Sequence, residues 1–240
     1  MKDLHSHYLY GIDDGAKNIE STRRMLEYAS SCGIKDIMFT PHYIKDSEYI
    51  SNKKHNMEIF IEIKEIALEY GINIYLGNEV FINSDVVDLI KSGEIATLNN
   101  SKYVLVEIPM YSKINNVENM FKDILENGSV PILAHPERYV VYEDHLDFFK
   151  ELHEMGVLMQ VNLPSINGMY GRKAKSMAKK LLKAKLIDFV GSDIHSSHEK
   201  KYDKIAEAEH KIRRYVGKEE ADNIIFNNFD KVINNVDIDN

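Results

Sequence analysis

Nine side chains of metal-binding type lie at or shortly after the short apolar runs of this sequence. They are His5, His7, Asp14, His42, Glu79, Glu107, His135, Asp193 and His195. Six of the seven apolar runs that resemble β-strands end in at least one of them. Ligands collected from the carboxyl ends of parallel strands converge at one mouth of a β/α barrel. This spacing therefore predicts a multinuclear metalloenzyme.

Two short motifs repeat the same arrangement of ligands. His5-Ser6-His7 closes the first apolar run, and Asp193-Ile194-His195 follows the last one. Side chains two residues apart on an extended chain point to the same side, so both members of each pair can reach one cation. In a barrel the first and last strands are neighbours. We therefore expect the two pairs to lie side by side.

The types of the nine side chains indicate which ions and which substrate the centre would bind. Five neutral imidazoles and four carboxylates carry a charge of −4, which three divalent cations would turn into a net positive charge. A positive centre suits a phosphate dianion together with hydroxide. Mixed nitrogen and oxygen ligands without sulfur fit Mn, Fe or Zn. Cations would also remove the cost of burying carboxylates such as Glu79 and Glu107.

Seven apolar runs that alternate with amphipathic helical segments would have to position these ligands. The runs are Asp3–His5, Asp36–Thr40, Ile72–Leu76, Tyr103–Glu107, Val130–Ala134, Val157–Val161 and Ile187–Val190. They are mostly continuous apolar stretches, as in parallel strands buried on both faces. This alternation predicts an α/β architecture, a closed or nearly closed barrel of parallel strands ringed by helices. A doubly wound open sheet is the alternative, but its ligands would cluster at one switch point.

Composition and charge limit the class of protein further. The 240 residues carry a net charge of −8, which disfavours a nucleic acid or an anionic membrane as a direct partner. No repeat or linker marks a second domain, so we expect one barrel domain over residues 1–240, with a frayed tail at 234–240. The single cysteine, and the absence of a secretion signal and of a membrane-length apolar run, suit a cytoplasmic protein.

Four motifs connect the predicted metal centre to a known family. They are HSHxLxGIDDGA at residues 5–16, TPH at 40–42, AHPERY at 134–139 and SDxH at 192–195. Their order and spacing resemble the PHP-type, metal-dependent protein-tyrosine phosphatases of Gram-positive bacteria, which are associated with capsule and exopolysaccharide synthesis. The resemblance implies a distorted (β/α)7 barrel that holds three metal ions, most readily Mn. It also implies hydrolysis of phosphotyrosine by direct attack of metal-bound hydroxide.

The resemblance also implies how the nine ligands are shared among three ions. The first ion would use His5, His7, Glu79 and Asp193; the second would share Glu79 and add Glu107 and His135; the third would use Asp14, His42 and His195. Asp14 and His42 would thereby take part in catalysis together with Arg138. The guanidinium of Arg138 would bind the phosphate, because its planar fork can hold two phosphate oxygens at once.

Two further residues are expected to contact the substrate. The family often has a second arginine shortly after SDxH, and Lys200 is the expected substitute in this sequence, although lysine lacks the bidentate fork. Tyr8, in a segment that flanks the ligands, is expected to stack on the phosphotyrosine ring. A cysteine-dependent mechanism is excluded, since it needs an arginine six positions after the nucleophile and Cys32 is followed at that spacing by Met38.

Two alternative functions remain open at the level of the sequence. Another PHP phosphoesterase, such as a histidinol-phosphate phosphatase, would share nearly every metal ligand. A non-catalytic protein that binds and regulates a membrane tyrosine kinase is the second alternative. The GIDDGA and AHPERY motifs favour the tyrosine phosphatase, because loop residues set specificity on a common scaffold. The resemblance further implies a protein substrate, the tyrosine-rich tail of a membrane-associated kinase that controls polysaccharide export.

Overall fold

The computed structural model describes residues 1–143 and 145–238, and parallel strands surround its interior. The strands are β1 (Asp36–Phe39), β2 (His42–Tyr43), β3 (Asn73–Leu76), β4 (Glu79–Phe81), β5 (Tyr103–Glu107), β6 (Val130–Ala134), β7 (Leu158–Asn162) and β8 (Phe189–Gly191). β1 pairs with β3, and the remaining strands form a sheet in the order β2-β4-β5-β6-β7-β8. Within the described residues, every pairing between these strands is parallel. All five residues of β5 and of β7 are buried, as expected of parallel strands that are covered on both faces.

Two extended paths and the first residues of the chain complete the ring. β1 continues into β2 and β3 into β4, with breaks at Thr40-Pro41 and at Gly77-Asn78, and proline has no backbone N–H to donate to the ladder. The segment at residues 3–6 bridges both sides of the remaining gap, since Asp3 pairs with Ile37 and Ser6 with Ile194. Seven parallel paths thus surround the interior, and the predicted α/β barrel is confirmed.

Helices cover the outside of these strands. They are α1 (Ile19–Ser31), α2 (Lys53–Glu69), α3 (Val86–Ser92), α4 (Val117–Glu126), α5 (Leu146–Met155), α6 (Leu163–Asn167), α7 (Gly171–Lys183), α8 (Ile205–Val216), α9 (Lys218–Asp222) and α10 (Asn228–Ile233). The Asn18 side chain caps α1 by accepting a hydrogen bond from the Ser21 N–H at 3.0 Å. Gly156 ends α5 with φ of +112°, a conformation that glycine adopts without strain.

A layer of apolar side chains fills the interior of the barrel beneath the site. Its buried members include Leu4, Met38, Leu105, Ile132 and Phe189. They come from the closing segment and from strands on several sides of the ring. Because these residues pack against one another, the carboxyl ends of the strands are held at fixed separations. The barrel thus supplies a rigid base for side chains at its mouth.

The carboxyl-terminal residues contact the start of β5. Asn235 accepts a hydrogen bond from the Lys102 N–H at 2.8 Å, and the Tyr103 hydroxyl donates to the Val236 carbonyl at 2.7 Å. The expected frayed tail at 234–240 includes residues 239 and 240, which lie outside the described residues. The single-domain organisation stays a prediction. Within the described parts of the chain, no helix combines the length and apolar composition that crossing a bilayer requires.

Candidate metal centre

The nine predicted ligands meet at the carboxyl edge of the strands. Their side chains form four overlapping groups in which the candidate ligand atoms lie within 4.8 Å of one another. The groups are His7, Asp14, His42 and His195; His5, His7 and Asp193; His5, Glu79 and His135; and His42, Glu79 and Glu107. Residues as far apart in sequence as His5 and Asp193 therefore share one site. The convergence expected of a barrel mouth is present.

Glu79 lies at the centre of the cluster and is fully buried. Its Oε2 atom is 3.1 Å from His5 Nε2 and 3.0 Å from His42 Nδ1, and its Oε1 atom is 3.0 Å from His135 Nε2. Burial opposes ionisation, but the imidazoles of His5 and His42 hold the pKa of Glu79 well below its usual value. Oε2 nevertheless makes no well-oriented hydrogen bond within the described residues. A carboxylate oxygen in this position is suited to bind a cation.

His5 and His7 turn their Nε2 atoms toward each other. His5 Nδ1 donates to Gln160 Oε1 at 2.9 Å, and His7 Nδ1 donates to Asp13 Oδ2 at 2.7 Å. Nδ1 therefore carries a proton in each ring, and as metal ligands both rings would be neutral, with Nε2 as the acceptor. The two Nε2 atoms are only 3.2 Å apart. Two Nε2 lone pairs this close would repel each other unless a proton or a cation lay between them, and a cation would bind both, so this geometry fits a metal site.

Asp14, His42 and His195 form the outer part of the cluster. Asp14 Oδ1 is 3.2 Å from His195 Nε2 and 3.6 Å from His42 Nε2. His195 Nδ1 donates to the carbonyl of Asp193 at 3.0 Å, which leaves Nε2 free to bind an ion. The Asp14 side chain is half exposed, unlike Glu79. This group therefore faces the cavity that a substrate would enter.

Glu107 adds a second carboxylate next to Glu79. Burial and the charge of Glu79 raise the pKa of Glu107 to about 8. Its Oε1 atom is 3.7 Å from His135 Nε2. Two buried carboxylates that lie next to each other, as those of Glu79 and Glu107 do, repel each other unless protons or cations lie between them. The donor set of imidazole nitrogens and carboxylate oxygens fits Mn, Fe or Zn.

The backbone at two ligand positions adopts left-handed conformations that non-glycine residues rarely occupy. His135 has φ of +34° and Asp193 has φ of +53°. Such conformations cost about 1–3 kcal/mol each and persist where surrounding contacts determine them. At Asp193, the Asn162 amide donates to Oδ2 at 2.8 Å and the Arg138 guanidinium donates to the same atom at 2.7 Å. The fold thus holds this carboxylate in place at some energetic cost.

Arg138 forms one wall of the cavity above the cluster. This cavity, of about 340 Å³, is lined by Asp14, His42, Glu107, Met110, His135, Arg138, Tyr170, Asp193, His195, Glu199 and Lys201. The Arg138 guanidinium carbon lies 4.4 Å from the centre of the Tyr170 ring. Stacking on one face and the Asp193 contact on the edge restrict the guanidinium to one orientation. Its remaining donors can bind an anion in the cavity.

The structure corrects both predicted substrate contacts other than Arg138. Tyr8 is fully buried; its ring stacks on Phe39 at 5.0 Å and its hydroxyl lies 3.2 Å from that of Tyr202, so the predicted stacking on substrate is wrong. The Lys200 ammonium lies over the Tyr28 ring at 5.1 Å, outside the cavity. Lys201 lines the cavity instead, since the backbone turns at Lys200 with φ of +56°.

Several residues of the site were not predicted from the sequence. Asp13 accepts hydrogen bonds from His7 Nδ1 and from the His42 N–H. On β7, Gln160 donates to Asn162 Oδ1 at 3.0 Å, which fixes the orientation of the Gln160 amide beneath His5. The signal was present, because Gln160 and Asn162 are alternate polar residues that face the same side of a strand otherwise apolar. β7 therefore contributes residues that orient the predicted ligands, whereas none of the nine predicted ligands lies on it.

Comparison with known proteins relates this chain to a described family. A family model described as capsular polysaccharide synthesis, CpsB/CapC, matches residues 1–234. A putative tyrosine-protein phosphatase CapC from Staphylococcus aureus is 33% identical over 201 residues, which cover 82% of this chain and 77% of that protein. The tyrosine-protein phosphatase CpsB of Streptococcus agalactiae is 31% identical over 244 residues, which cover 98% of this chain and 99% of that protein.

Solved structures agree with these sequence matches. Crystal structures of YwqE from Bacillus subtilis and CpsB from Streptococcus pneumoniae, described as unique metal-dependent tyrosine phosphatases, provide a match with a TM-score of 0.88. That match is 26% identical and covers 100% of this chain and 96% of the other. A histidinol phosphate phosphatase from Lactococcus lactis has a TM-score of 0.60 at 16% identity, covering 93% of this chain and 95% of the other. The second likeness concerns the fold alone.

Proposed function

The chain belongs to the family of capsular polysaccharide synthesis proteins CpsB/CapC, and from this premise we propose that it is a metal-dependent protein-tyrosine phosphatase. One observation carries the proposal. The Nε2 atoms of His5 and His7 face each other at 3.2 Å beside the buried Glu79 carboxylate, and the cavity above them contains Arg138. Cation ligands and an anion-binding guanidinium thus face the same space, as hydrolysis of a phosphate ester requires.

We assign the nine side chains to three divalent cations. One would be held by His5, His7, Glu79 and Asp193, a second by Glu79, Glu107 and His135, and a third by Asp14, His42 and His195. Mn is the first choice, with Fe and Zn sharing the same preference for mixed nitrogen and oxygen ligands. When bound, such cations lower the pKa of water so that hydroxide is available near neutral pH, and they neutralise phosphate charge.

The chain's own residues bind and orient the phosphate. Arg138 is held by Asp193 and by the Tyr170 ring, so its guanidinium enters the reaction already oriented. The Lys201 ammonium lies in the same cavity, where it donates to the Asp193 carbonyl and lies 3.3 Å from Glu199 Oε1. The positively charged side chains of Arg138 and Lys201 would balance the negative charge that shifts among the phosphoryl oxygens in the transition state.

The physiological substrate belongs to the same proposal. Hydrolysis of a phosphotyrosine side chain requires a cavity that opens to the surface, and the half-exposed Asp14 lies at that opening. We assign as substrate the phosphorylated, tyrosine-rich tail of a kinase that controls capsule or exopolysaccharide synthesis. A flexible tail could place its phosphotyrosines in the cavity one after another, because it has no fold to disrupt.

A two-substrate assay with metal analysis tests the proposed function. The purified protein should contain divalent cations, and it should hydrolyse a phosphotyrosine peptide much faster than histidinol phosphate. Chelation should abolish both the bound metal and the activity, and Mn²⁺ should restore them. The Glu79→Gln variant, which loses the central carboxylate, should lose metal and activity together. Activity that persists after the metal has been removed would contradict the mechanism, and a preference for histidinol phosphate would contradict the substrate.

A further inference from the structure

Two cavities meet at Arg138. The first is the cavity above the ligand cluster, and the second, of about 290 Å³, extends from it toward α7. The residues that line both are Met110, Arg138 and Tyr170. If phosphate occupies the first cavity, the oxygen that joins it to the leaving group must lie at a boundary of this cavity. Arg138 and Tyr170 are the residues of the shared wall whose side chains can donate hydrogen bonds.

The second cavity is suited to an aromatic ring. Its wall includes the apolar or aromatic side chains of Met110, Tyr111, Tyr139, Val140 and Ala174, together with the charged side chains of Glu137, Glu143 and Lys173. Tyr111 is 80% exposed and Val140 53% exposed, so apolar surface at this entrance is left for a ligand to cover. A third cavity also adjoins the cluster at Asp14 and His195. Its lining includes Lys17, Arg24 and His198 but no tyrosine or phenylalanine, so it fits an aromatic ring less well.

The Tyr170 hydroxyl is buried at the boundary of the two cavities, within hydrogen-bonding reach of the Lys201 ammonium. An ammonium can only donate, so no described residue accepts the proton of this hydroxyl in a well-oriented hydrogen bond. The Arg138 guanidinium lies 4.4 Å and the Lys201 ammonium 5.6 Å from the ring centre. A buried donor whose proton has no acceptor is energetically unfavourable. A substrate atom that accepted its hydrogen bond would remove this cost.

We propose that the second cavity binds the aromatic ring of the substrate phosphotyrosine and that the Tyr170 hydroxyl donates a hydrogen bond to its phenolic oxygen. This inference rests on the proposed phosphatase function and names a further catalytic residue for it. Tyr170 contributes in two ways. Its ring holds Arg138 against the phosphate, and its hydroxyl donates a hydrogen bond to the leaving group on the other side of the same wall.

The role assigned to Tyr170 is hydrogen bonding without net proton transfer. The oxygen of water bonds to phosphorus, the bond between phosphorus and the phenolic oxygen breaks, and the electron pair stays on the phenolic oxygen. That oxygen accepts the hydrogen bond from Tyr170 as its negative charge develops. The products are a phenol and hydrogen phosphate, so both protons derive from the water. Burial raises the pKa of Tyr170, which keeps its own proton in place.

A series of aryl phosphates with leaving groups of increasing pKa tests the hydroxyl. The Tyr170→Phe variant keeps the ring and loses only the hydrogen bond. Its kcat/KM should fall by about 10- to 100-fold for phenols as basic as tyrosine, and much less for nitrophenyl phosphate, whose leaving group needs little stabilisation. A plot of log kcat/KM against leaving-group pKa should therefore be steeper than for the wild type. The matched control is Tyr215→Phe, since Tyr215 also lies beneath a cation, Lys179 at 5.9 Å, but away from the cluster.

A binding measurement tests the cavity separately from catalysis. Tyr111 is so exposed that Tyr111→Ala should fold normally. This variant should bind a non-hydrolysable aryl phosphonate about 3- to 10-fold more weakly, because it removes part of the apolar wall. Its affinity for inorganic phosphate should stay unchanged, since phosphate occupies only the first cavity. The exposed Ile61→Ala on α2 is the control for loss of surface apolar area.

The outcomes separate this inference from the proposed function. Wild-type protein that hydrolyses phosphotyrosine only with metal, together with equal slopes for wild type and Tyr170→Phe, would overturn the inference and leave the function intact. Unchanged phosphonate affinity in Tyr111→Ala would show that the aromatic ring of the substrate does not bind in the second cavity. A wild-type protein with no metal-dependent hydrolysis of any aryl phosphate would overturn both. A steeper slope and weaker phosphonate binding would support both parts of the inference.

Discussion

The imidazoles of His5 and His7 are each oriented by a hydrogen bond at Nδ1, the ring nitrogen that points away from the predicted ion. Gln160 accepts from His5 and Asp13 accepts from His7, and these contacts set the tautomer that presents Nε2 to an ion. The same Gln160 amide is tied to Asn162, whose own amide donates to Asp193. A hydrogen-bonded chain on β7 therefore links two predicted ligands of one cation. Loss of a support of this kind typically lowers metal affinity by about 10- to 100-fold.

Replacing Gln160 should weaken metal binding without changing any ligand. In Gln160→Leu, His5 loses the acceptor for its Nδ1 proton, and the tautomer that carries its proton on Nδ1 and presents Nε2 to an ion is no longer favoured. We expect the affinity for Mn²⁺ to fall by about 10- to 100-fold, measured by competition with a chelator. Asn73→Leu is the control, because Asn73 begins β3 at the opposite end of the barrel. Equal affinity in the two variants would show that Gln160 does not orient His5.

Arg138 should contribute to turnover through its contact with phosphate. In Arg138→Ala a charge-assisted contact worth about 1.5–3 kcal/mol is lost, so kcat/KM for a phosphotyrosine peptide should fall by at least about 10-fold. Metal content must be measured alongside, because Arg138 also donates to Asp193. Arg172→Ala, an exposed arginine on α7, is the control for loss of charge. Unchanged kinetics in Arg138→Ala would show that the guanidinium does not take part in the reaction.

The neighbouring lysines Lys200 and Lys201 provide a matched comparison. Lys201 is 6% exposed and lines the cavity, whereas Lys200 is exposed and lies over Tyr28. Lys201→Met should therefore lower kcat/KM by about 10-fold, the effect of one lost charge-assisted contact, and Lys200→Met should change it by less than about 2-fold. The opposite ranking would mean that the sequence-based assignment of Lys200 was right and that the loop rearranges when substrate binds.

Among the elements, the strand ends were the most predictable part of the protein. β5 and β6 have the predicted bounds, because a run of apolar residues buried on both faces ends where the first polar ligand begins. The breaks at Thr40-Pro41 and Gly77-Asn78 were not predicted, since they depend on pairing with neighbours. Lys201 and Tyr170 were missed for a related reason. Their positions depend on the backbone turn at Lys200 and on the packing of α7, and no local pattern encodes either.

The close packing of β8 against the first ligand segment should make Gly191 sensitive to substitution. A Cβ atom at this position would lie 2.7 Å from His5 Cβ and 2.8 Å from Gln160 Nε2. Gly191→Ala should destabilise the protein by about 1–3 kcal/mol, measured by urea unfolding, and should also weaken Mn²⁺ binding. In Gly93→Ala, where a Cβ would meet open space but φ is +71°, stability should fall and affinity for Mn²⁺ should not. Equal metal affinity in both variants would contradict this packing argument.

At the scale of the whole molecule, the centre concentrates negative charge that only cations can balance well. Glu79, Glu107 and Asp193 are all buried in a chain whose net charge is already −8. Burial and the charge of neighbouring groups raise the pKa of Glu107. Burial would also raise the pKa of Asp193, but nearby imidazoles and Lys201 outweigh this effect and lower it. Ions that bind only the folded state therefore stabilise it, by an amount that grows with the logarithm of their concentration relative to Kd.

Removal of metal should lower the melting temperature of the protein. At a free Mn²⁺ concentration about 1,000 times Kd, binding at one site adds about 4 kcal/mol to the free energy of unfolding. For a chain of this size, Tm should then rise by about 10 °C relative to the chelated protein. Scanning calorimetry with Mn²⁺, with chelator and with Mg²⁺ as a poorer match for imidazole measures the effect. Equal Tm values with Mn²⁺ and with chelator would indicate that no ion binds to the folded protein.

The segment at residues 3–6 closes the ring by pairing with Ile37 and Ile194, and it is followed at once by His7. Its Asp3 carboxylate accepts from Ser192, 189 positions further along the sequence. Contacts over such a separation form late, because a long loop has to close before they can. Capture of ions should accordingly mark the final stage of self-assembly. Manganese supplied during renaturation would be expected to increase the yield of native protein while leaving the early collapse as fast as before.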